Sequence, residues 1–129
     1  MPTNKRLSDA ELEIMQVLWS ADAAVTSTHV LSALKGLRKW ALSTLMTVLA
    51  RLMEKGFLQC DRSTRVNLYS PLISAEEYSA MEGKSFLDRL CGSSLPNLVA
   101  SLYNEKAIGA KEIDELRAFL DALGEEGRP

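Results

Sequence analysis

The residues best suited to a chemical task lie on one face of the stretch ALSTLMTVLARLMEKGF, which begins at residue 41. Wound at roughly 100° per residue, this face carries short hydroxyl side chains first and long cations later: Ser43, Thr44, Thr47, Arg51 and Lys55. Hydroxyl groups can hydrogen-bond the edges of nucleic-acid bases, and a Thr methyl can meet a thymine methyl. Long cations neutralise phosphates, which positions a protein on DNA without specifying a sequence. The alternative is a plain amphipathic helix that faces water.

The elements around this stretch predict a helix-turn-helix. Its opposite side is apolar, with Leu45, Leu49 and Leu52 at helical spacing, so a helix is predicted from about 42 to 55. Two helices precede it: Ser8 and Glu11 form a capping box at the first, and Thr26 can cap the second. In such a motif the second helix enters the major groove with its N-terminal residues against the bases. The base-reading residues predicted from this pattern are Ser43, Thr44 and Thr47.

A basic hairpin is predicted directly after this helix. Gly56 suits a helix end, and residues 57–71 alternate like two strands around a polar tip flanked by Arg62 and Arg65. A hairpin in this position is the wing of a winged helix, which favours DNA binding over the plain amphipathic helix. The predicted phosphate and wing contacts are Lys39, Arg51, Lys55, Arg62 and Arg65.

The remaining residues predict three helices with apolar stripes. These stripes exceed what a thin three-helix tail can cover, so we expect them to pack against a second copy of the chain. The fold class is therefore mainly α: a winged helix-turn-helix (three helices plus a β-hairpin wing) at 1–72, followed by a three-helix dimerisation domain at 73–129. The predicted dimerisation residues are Phe86, Leu87, Leu90, Leu98, Val99, Leu102, Ile113, Leu116 and Leu120.

Charge and composition limit the other classes of function. The net charge is only −2, but residues 1–70 hold nine Lys or Arg against six Asp or Glu, and residues 71–129 hold six against eleven. The basic part coincides with the predicted winged helix. No apolar run approaches the ~20 residues of a membrane span, and the start lacks the apolar core of a signal peptide, so a cytoplasmic protein is expected.

Neither catalysis nor a bound metal is expected. The single histidine, His29, and the two cysteines, Cys60 and Cys91, stand apart from one another, whereas a tetrahedral zinc site needs four ligands. No phosphate-binding loop, nucleophile elbow or metalloprotease motif is present in the sequence. We therefore expect a protein that is not an enzyme and has no cofactor.

Several motifs together resemble the penicillinase repressor family (BlaI/MecI type). They are LSDAELEIMQVLW, STLMTVLARLMEKGF, VNLYSPL and the later SFLDRL, LVASL and KEIDELRAFL, and they cover nearly the whole chain in order. The resemblance implies a homodimeric winged-helix repressor that binds a palindromic operator and controls β-lactamase or other antibiotic-resistance or stress genes. It also implies that Thr44 and Thr47 contact bases, and that loss of the C-terminal domain releases the operator. In the family, proteolysis triggered by a membrane-bound sensor metalloprotease causes that loss in some members.

The chain departs from the family pattern at three places. Ala41-Leu42-Ser43 replaces the usual Ser-Pro-Lys or Ser-Asp-Lys before the first Thr. Met46 replaces an Arg between the two Thr, so the resemblance adds Met46 as a fourth predicted base-reading position and implies a different operator. The family's cleaved Asn-Phe bond corresponds to Ser101–Leu102 here, which makes that bond the candidate cleavage site. The runner-up function is a winged-helix adaptor that binds a protein partner; binding to duplex DNA distinguishes the two.

Overall fold

Residues 6–127 fold into three helices, a hairpin and three further helices. The structure, a computed structural model, describes residues 6–127, so the predicted domain limits at 1 and 129 lie outside the described residues. The elements are α1 (Asp9–Ser20), α2 (Ser27–Ala33), α3 (Leu42–Glu54), β1 (Leu58–Asp61), β2 (Leu68–Pro71), α4 (Ala75–Leu90), α5 (Leu95–Asn104) and α6 (Ala110–Gly127). The predicted mainly helical fold, a winged helix-turn-helix followed by three helices, is confirmed.

Local capping signals set where the helices begin. At α1 the Ser8 side chain accepts from the Glu11 backbone N–H at 3.2 Å, and the Glu11 carboxylate accepts from the Ser8 N–H at 2.9 Å. This is the reciprocal capping box, which satisfies two backbone donors that a helix start leaves free. Thr26 caps α2 by accepting from the His29 N–H at 3.1 Å.

Gly56 ends α3 and turns the chain towards the hairpin. Its φ of 83° lies in the left-handed region, where a side chain would be strained. The Phe57 N–H donates to the Leu52 carbonyl at 3.0 Å, and the Gly56 N–H donates to the Met53 carbonyl at 3.0 Å. This pair of bonds is the Schellman motif, and it places Phe57, which is 1 % exposed, in the core.

The hairpin is a two-stranded antiparallel sheet attached to the helices at its base. Cys60 pairs with Tyr69, and Asp61 with Leu68. An isolated bridge joins Tyr69 to Val25, the residue just before the Thr26 cap of α2, through backbone hydrogen bonds of 2.7 and 3.0 Å. The base of the wing is therefore tied to the helix-turn-helix, and only its tip projects.

One hydrophobic core joins α1, α2, α3 and the hairpin, and the first turns of α4 belong to it. Tyr78 of α4 is buried; its ring lies 5.9 Å from that of Phe57, and its hydroxyl accepts from the Leu7 N–H at 2.9 Å. The Trp19 indole N–H donates to the Ile73 carbonyl at 2.8 Å. The chain accordingly divides into two compact units between Glu82 and Gly83, ten residues beyond the boundary expected from the sequence.

The second unit, residues 83–127, has few covered side chains of its own. Ser94 caps α5 by accepting from the Asn97 N–H at 3.2 Å, and the Glu112 carboxylate accepts from the Gly109 N–H at 3.1 Å before α6. No residue of α5 is buried. Within residues 6–127, none of the helices combines the length and the apolar character needed to cross a membrane.

Candidate nucleic-acid interface

Helix α3 separates its apolar and polar residues onto opposite sides. Its buried residues are Leu45, Val48, Leu49 and Leu52, at the three- and four-residue spacing of one helix face. Its exposed residues include all four predicted base-reading positions: Ser43, Thr44, Met46 and Thr47. The short side chains at the start of α3 therefore reach solvent together, on a helix that the core holds from behind.

Thr47 presents an acceptor to that solvent side. Its hydroxyl donates to the Ser43 carbonyl at 3.1 Å, so its only hydrogen is already used. The oxygen lone pairs and the methyl group remain for a ligand. In a major groove such a side chain can accept from the exocyclic amino group of adenine or cytosine, or meet a thymine methyl.

Met46 connects the reading face to the wing. The residue is 37 % exposed, and its sulfur lies 4.0 Å from the hydroxyl of Tyr69 in β2. Tyr69 is buried, and burial together with the neighbouring Cys60 raises its pKa, so the hydroxyl stays protonated at neutral pH. Met46 is an apolar, adaptable contact, unlike the bidentate guanidinium of an Arg.

The start of α3 lacks a side-chain cap. Its N-cap is Ala41, which makes no side-chain hydrogen bond, whereas Ser8, Thr26 and Ser94 cap α1, α2 and α5. The first backbone N–H groups of α3 are thus left to another acceptor. A helix N-terminus favours anions through these donors and through the helix dipole, and Lys39 lies exposed just before it.

The tip of the wing is a short ordered turn with two exposed arginines. Hydrogen bonds from the Ser63 side chain and from the Ser63 N–H, the latter at 2.8 Å, lower the pKa of the Asp61 carboxylate. The Thr64 hydroxyl donates to the Val66 carbonyl at 2.9 Å. Arg62 and Arg65 are both exposed on this turn. The turn holds two cations at the far end of the hairpin.

The predicted phosphate contacts divide into two groups. Lys39, Arg51, Arg62 and Arg65 are exposed. Lys55 differs: its ammonium lies 2.8 and 3.0 Å from the two carboxylate oxygens of Glu11, and its side chain is only 21 % exposed. A helical wheel places Lys55 on the polar face, but just after the last residue of the helix its long stem folds back onto the start of α1. The pattern of α3 alone could not show this pairing, because Glu11 comes within reach only in the folded chain.

Two further contacts of a cation, both made by Arg38, were not predicted from the sequence. The Arg38 guanidinium donates to the Glu13 carboxylate at 2.6 and 3.3 Å and lies 5.6 Å from the centre of the Trp40 ring. Arg38 belongs to the connector between α2 and α3, and Glu13 to α1. Arg38 and Glu13 are 25 residues apart, so no local pattern could pair them.

The predicted dimerisation residues are all incompletely covered in the single chain. Leu90 and Leu120 are exposed, and Phe86, Leu87, Leu98, Val99, Leu102, Ile113 and Leu116 are half-buried. An apolar groove of about 640 Å³ runs between α5 and α6, with Leu95, Val99, Tyr103, Ile113, Leu116 and Leu120 among its lining residues. The candidate cleavage bond, Ser101–Leu102, lies inside α5.

Comparison with known proteins relates this chain to repressors of penicillinase and methicillin-resistance genes. The profile of the penicillinase repressor family matches residues 7–122. The chain is 32 % identical over 116 residues to the penicillinase repressor of Bacillus licheniformis, which covers 90 % of each chain. It is 24 % identical over 115 residues to the methicillin resistance regulatory protein MecI of Mammaliicoccus sciuri, which covers 89 % of this chain and 93 % of MecI.

Two solved structures each match 60 % of the chain. The solution structure of the DNA-binding domain of the repressor BlaI is 35 % identical, with a TM-score of 0.52, and covers 60 % of this chain and 94 % of that domain. The B. licheniformis BlaI monomeric form in complex with the blaP half-operator matches with the same identity and coverage and a TM-score of 0.50. The family match extends over nearly all of the described residues, and the chain belongs to the penicillinase repressor family.

Proposed function

We propose that this chain is a homodimeric transcriptional repressor that binds a palindromic operator through α3 and the wing. The observation that carries the proposal is the exposed face of α3, where Ser43, Thr44, Met46 and Thr47 stand beside an uncapped helix start. Hydroxyls on a helix can read base edges, and free backbone N–H groups can bind a phosphate. The BlaI half-operator complex, 35 % identical over the matched part, supports the same use of this unit.

The exposed cations around this face can contact phosphates while the face itself contacts bases. Lys39 precedes the start of α3, Arg51 lies near its end, and Arg62 and Arg65 project from the wing tip. All four are exposed, so they can neutralise phosphates on either side of the groove without a change in the fold. Lys55 is not included in this surface, because its ammonium is held by Glu11.

The second unit serves as the dimerisation domain in this proposal. Its exposed large apolar side chains include Leu90 at 65 % and Phe119 at 58 % exposure. A second copy would cover them and the α5–α6 groove, since a two-fold interface buries the same patch of both subunits. Pairing would also set two α3 helices on the two half-sites of a palindrome.

Release of the operator would follow from loss of that pairing. Cleavage at Ser101–Leu102, the bond that aligns with the family's cleavage site, would divide α5 and separate its last turn from the rest of the helix. The bond lies inside a helix, so a protease requires α5 to unwind locally first. A membrane-bound sensor metalloprotease that acts indirectly is the partner in this scheme, and the regulated genes would be those for β-lactamase or other resistance or stress functions.

The experiment that tests DNA binding starts from a library of random duplexes. Selection by the full chain at moderate salt should enrich an inverted repeat, and a duplex that carries it should bind more tightly than a scrambled duplex of equal length. Sedimentation of the same sample should show a dimer. A chain that binds all duplexes equally, or none, would favour the winged-helix adaptor that binds a protein partner.

A further inference from the structure

The two ends of the α3 segment are joined to α1 by ion pairs. At its C-terminal end the Lys55 ammonium donates to both oxygens of Glu11, at 2.8 and 3.0 Å. Before its N-terminal end the Arg38 guanidinium donates to both oxygens of Glu13, at 2.6 and 3.3 Å. The two carboxylates stand two residues apart on α1, so one short segment holds the reading helix at both ends.

The Glu11–Lys55 pair lies inside the protein. Glu11 is a buried charged residue of the core, at 2 % exposure. Its carboxylate also accepts from the Ser8 N–H in the capping box, so three hydrogen bonds fix its orientation. A buried ion pair adds little net stability, because desolvation offsets most of the attraction. The pair is therefore more important for the orientation of the two side chains, and of the helices that carry them, than for net stability.

The apolar side of α3 limits large movements of the helix, but it sets the rotation less sharply than charge-assisted hydrogen bonds do. Burial of Leu45, Leu49 and Leu52 attaches the helix to the core, but the hydrophobic effect is not directional. Side chains reach about 5–6 Å from a helix axis, so a rotation of about 10° moves their tips by about 1 Å. A donor–acceptor distance varies by only about 0.5 Å over its usual range. A small roll of α3 would move the core side chains as well, but the hydrogen bonds to bases, with their narrower distance range, would be lost first.

We infer that the Glu11–Lys55 pair, with Glu13–Arg38 at the other end, fixes the rotation of α3 about its axis for sequence reading. Glu11 and Lys55 are positioning residues: they act through the orientation of the reading face, and Lys55 is not a phosphate ligand. This inference rests on the proposed function, since it concerns how α3 is presented to DNA.

Three variants test the pair. Glu11→Gln removes the charge and keeps the capping box, because Gln also serves at this position. Lys55→Met removes the ammonium and keeps most of the stem. The double variant leaves no unpaired charge inside the protein, so it can still be measured if Lys55→Met folds poorly. Lys84→Met is the matched control, since it removes one lysine from an exposed ion pair with Asp88.

The readouts are the dissociation constants for the selected operator and for a scrambled duplex, over a salt series, with the folded fraction checked by circular dichroism. Each single variant should weaken operator binding by about fivefold or more, the range for one lost base interaction, with little change on scrambled DNA and an unchanged salt slope. The double variant should bind the operator at least as tightly as the single variant that binds it less tightly, because both residues act through one pair. Lys84→Met should match the wild type.

Three results would overturn the inference while the proposed function stands. The first is a salt slope reduced by about two for Lys55→Met, as expected when a dimer loses one phosphate ligand from each subunit. The second is equal weakening on the two duplexes after correction for the folded fraction, which would make the pair only structural. The third is an additive effect in the double variant. A wild-type chain without preference for any duplex would instead reject the proposed function.

Discussion

Thr47 provides the sharpest test of sequence reading by α3. Its hydroxyl hydrogen is bonded to the Ser43 carbonyl, so the oxygen can act towards DNA only as an acceptor. Thr47→Val removes this oxygen and keeps the branched shape and one methyl in place. Thr47→Ser keeps the oxygen and removes the methyl, which separates the two modes of contact.

The expected magnitude follows from the hydrogen bonds that Thr47→Val would remove. A neutral hydrogen bond contributes about 0.5–1.5 kcal/mol, and a dimer on a palindrome makes the same bond in each half-site. The operator affinity should then fall by about 1–3 kcal/mol per dimer, or about 5- to 150-fold in the dissociation constant. Because Thr47 is exposed, the free energy of unfolding should change by no more than about 0.5 kcal/mol.

Fluorescence anisotropy with a labelled operator and a scrambled duplex measures both affinities. Thr28→Val is the matched control, since it makes the same change on an exposed threonine of α2. Thr47→Val should weaken operator binding and leave scrambled binding within about twofold, because phosphate contacts supply most non-specific affinity. Equal weakening on both duplexes would remove Thr47 from base reading.

Three further expectations concern the wing, the groove and pH. Arg62→Ala with Arg65→Ala should weaken binding to both duplexes and lower the salt slope by about four, because a dimer loses two phosphate ligands from each subunit. The melting temperature should not change, because both side chains are exposed. An unaltered slope would mean that the wing tip does not touch DNA. Leu116→Asp in the α5–α6 groove should shift sedimentation from dimer to monomer and reduce operator binding to that of a half-site, whereas Asp114→Asn at the same groove should not. Burial alone would raise the pKa of Glu11, but the hydrogen bonds from Lys55 and Ser8 outweigh it and lower the pKa below its ordinary value. A lowered folded-state pKa stabilises the protein above the unfolded value, and this contribution is lost as pH falls through the folded value. The difference in melting temperature between the wild type and Glu11→Gln should therefore shrink below about pH 4.5. A difference that does not change with pH would contradict this role of the Glu11 carboxylate.

The features that could be predicted correctly from the sequence depend on near neighbours. The capping box at Ser8, the Thr26 cap and the helix end at Gly56 each involve residues within about one helical turn. Apolar spacing then separates the core side of α3 from its exposed side. Such signals are complete within a short window, so they are readable without a structure.

The features that could not be predicted depend on contacts between distant residues. Glu11 and Lys55 are 44 residues apart. On a helical wheel Lys55 belongs with Arg51, and only the folded chain shows that the start of α1 approaches the end of α3. The placement of the base-reading face was local information, whereas the partner of each cation near that face was not.

The domain boundary is the other non-local feature, and it leads to a test by truncation. The Leu7 N–H donates to the Tyr78 hydroxyl across 71 residues, and the Tyr78 ring lies 6.0 Å from Trp19 and 5.9 Å from Phe57. A chain that ends at Leu72 lacks Tyr78 and the Trp19–Ile73 hydrogen bond, whereas a chain that ends at Glu82 keeps both.

Burial of one large side chain contributes about 1.5–3 kcal/mol, and each hydrogen bond about 0.5–1.5 kcal/mol. The chain ending at Leu72 should therefore be less stable in urea by about 2.5–6 kcal/mol, the sum for Tyr78 and two hydrogen bonds. Both chains should be monomers, because both lack α5 and α6. Tyr78→Phe in the longer chain removes only the hydrogen bond to Leu7. It should lower the free energy of unfolding by about 0.5–1.5 kcal/mol, the contribution of one hydrogen bond. Equal unfolding midpoints for the two truncated chains would show that α4 adds nothing to the core of the winged helix.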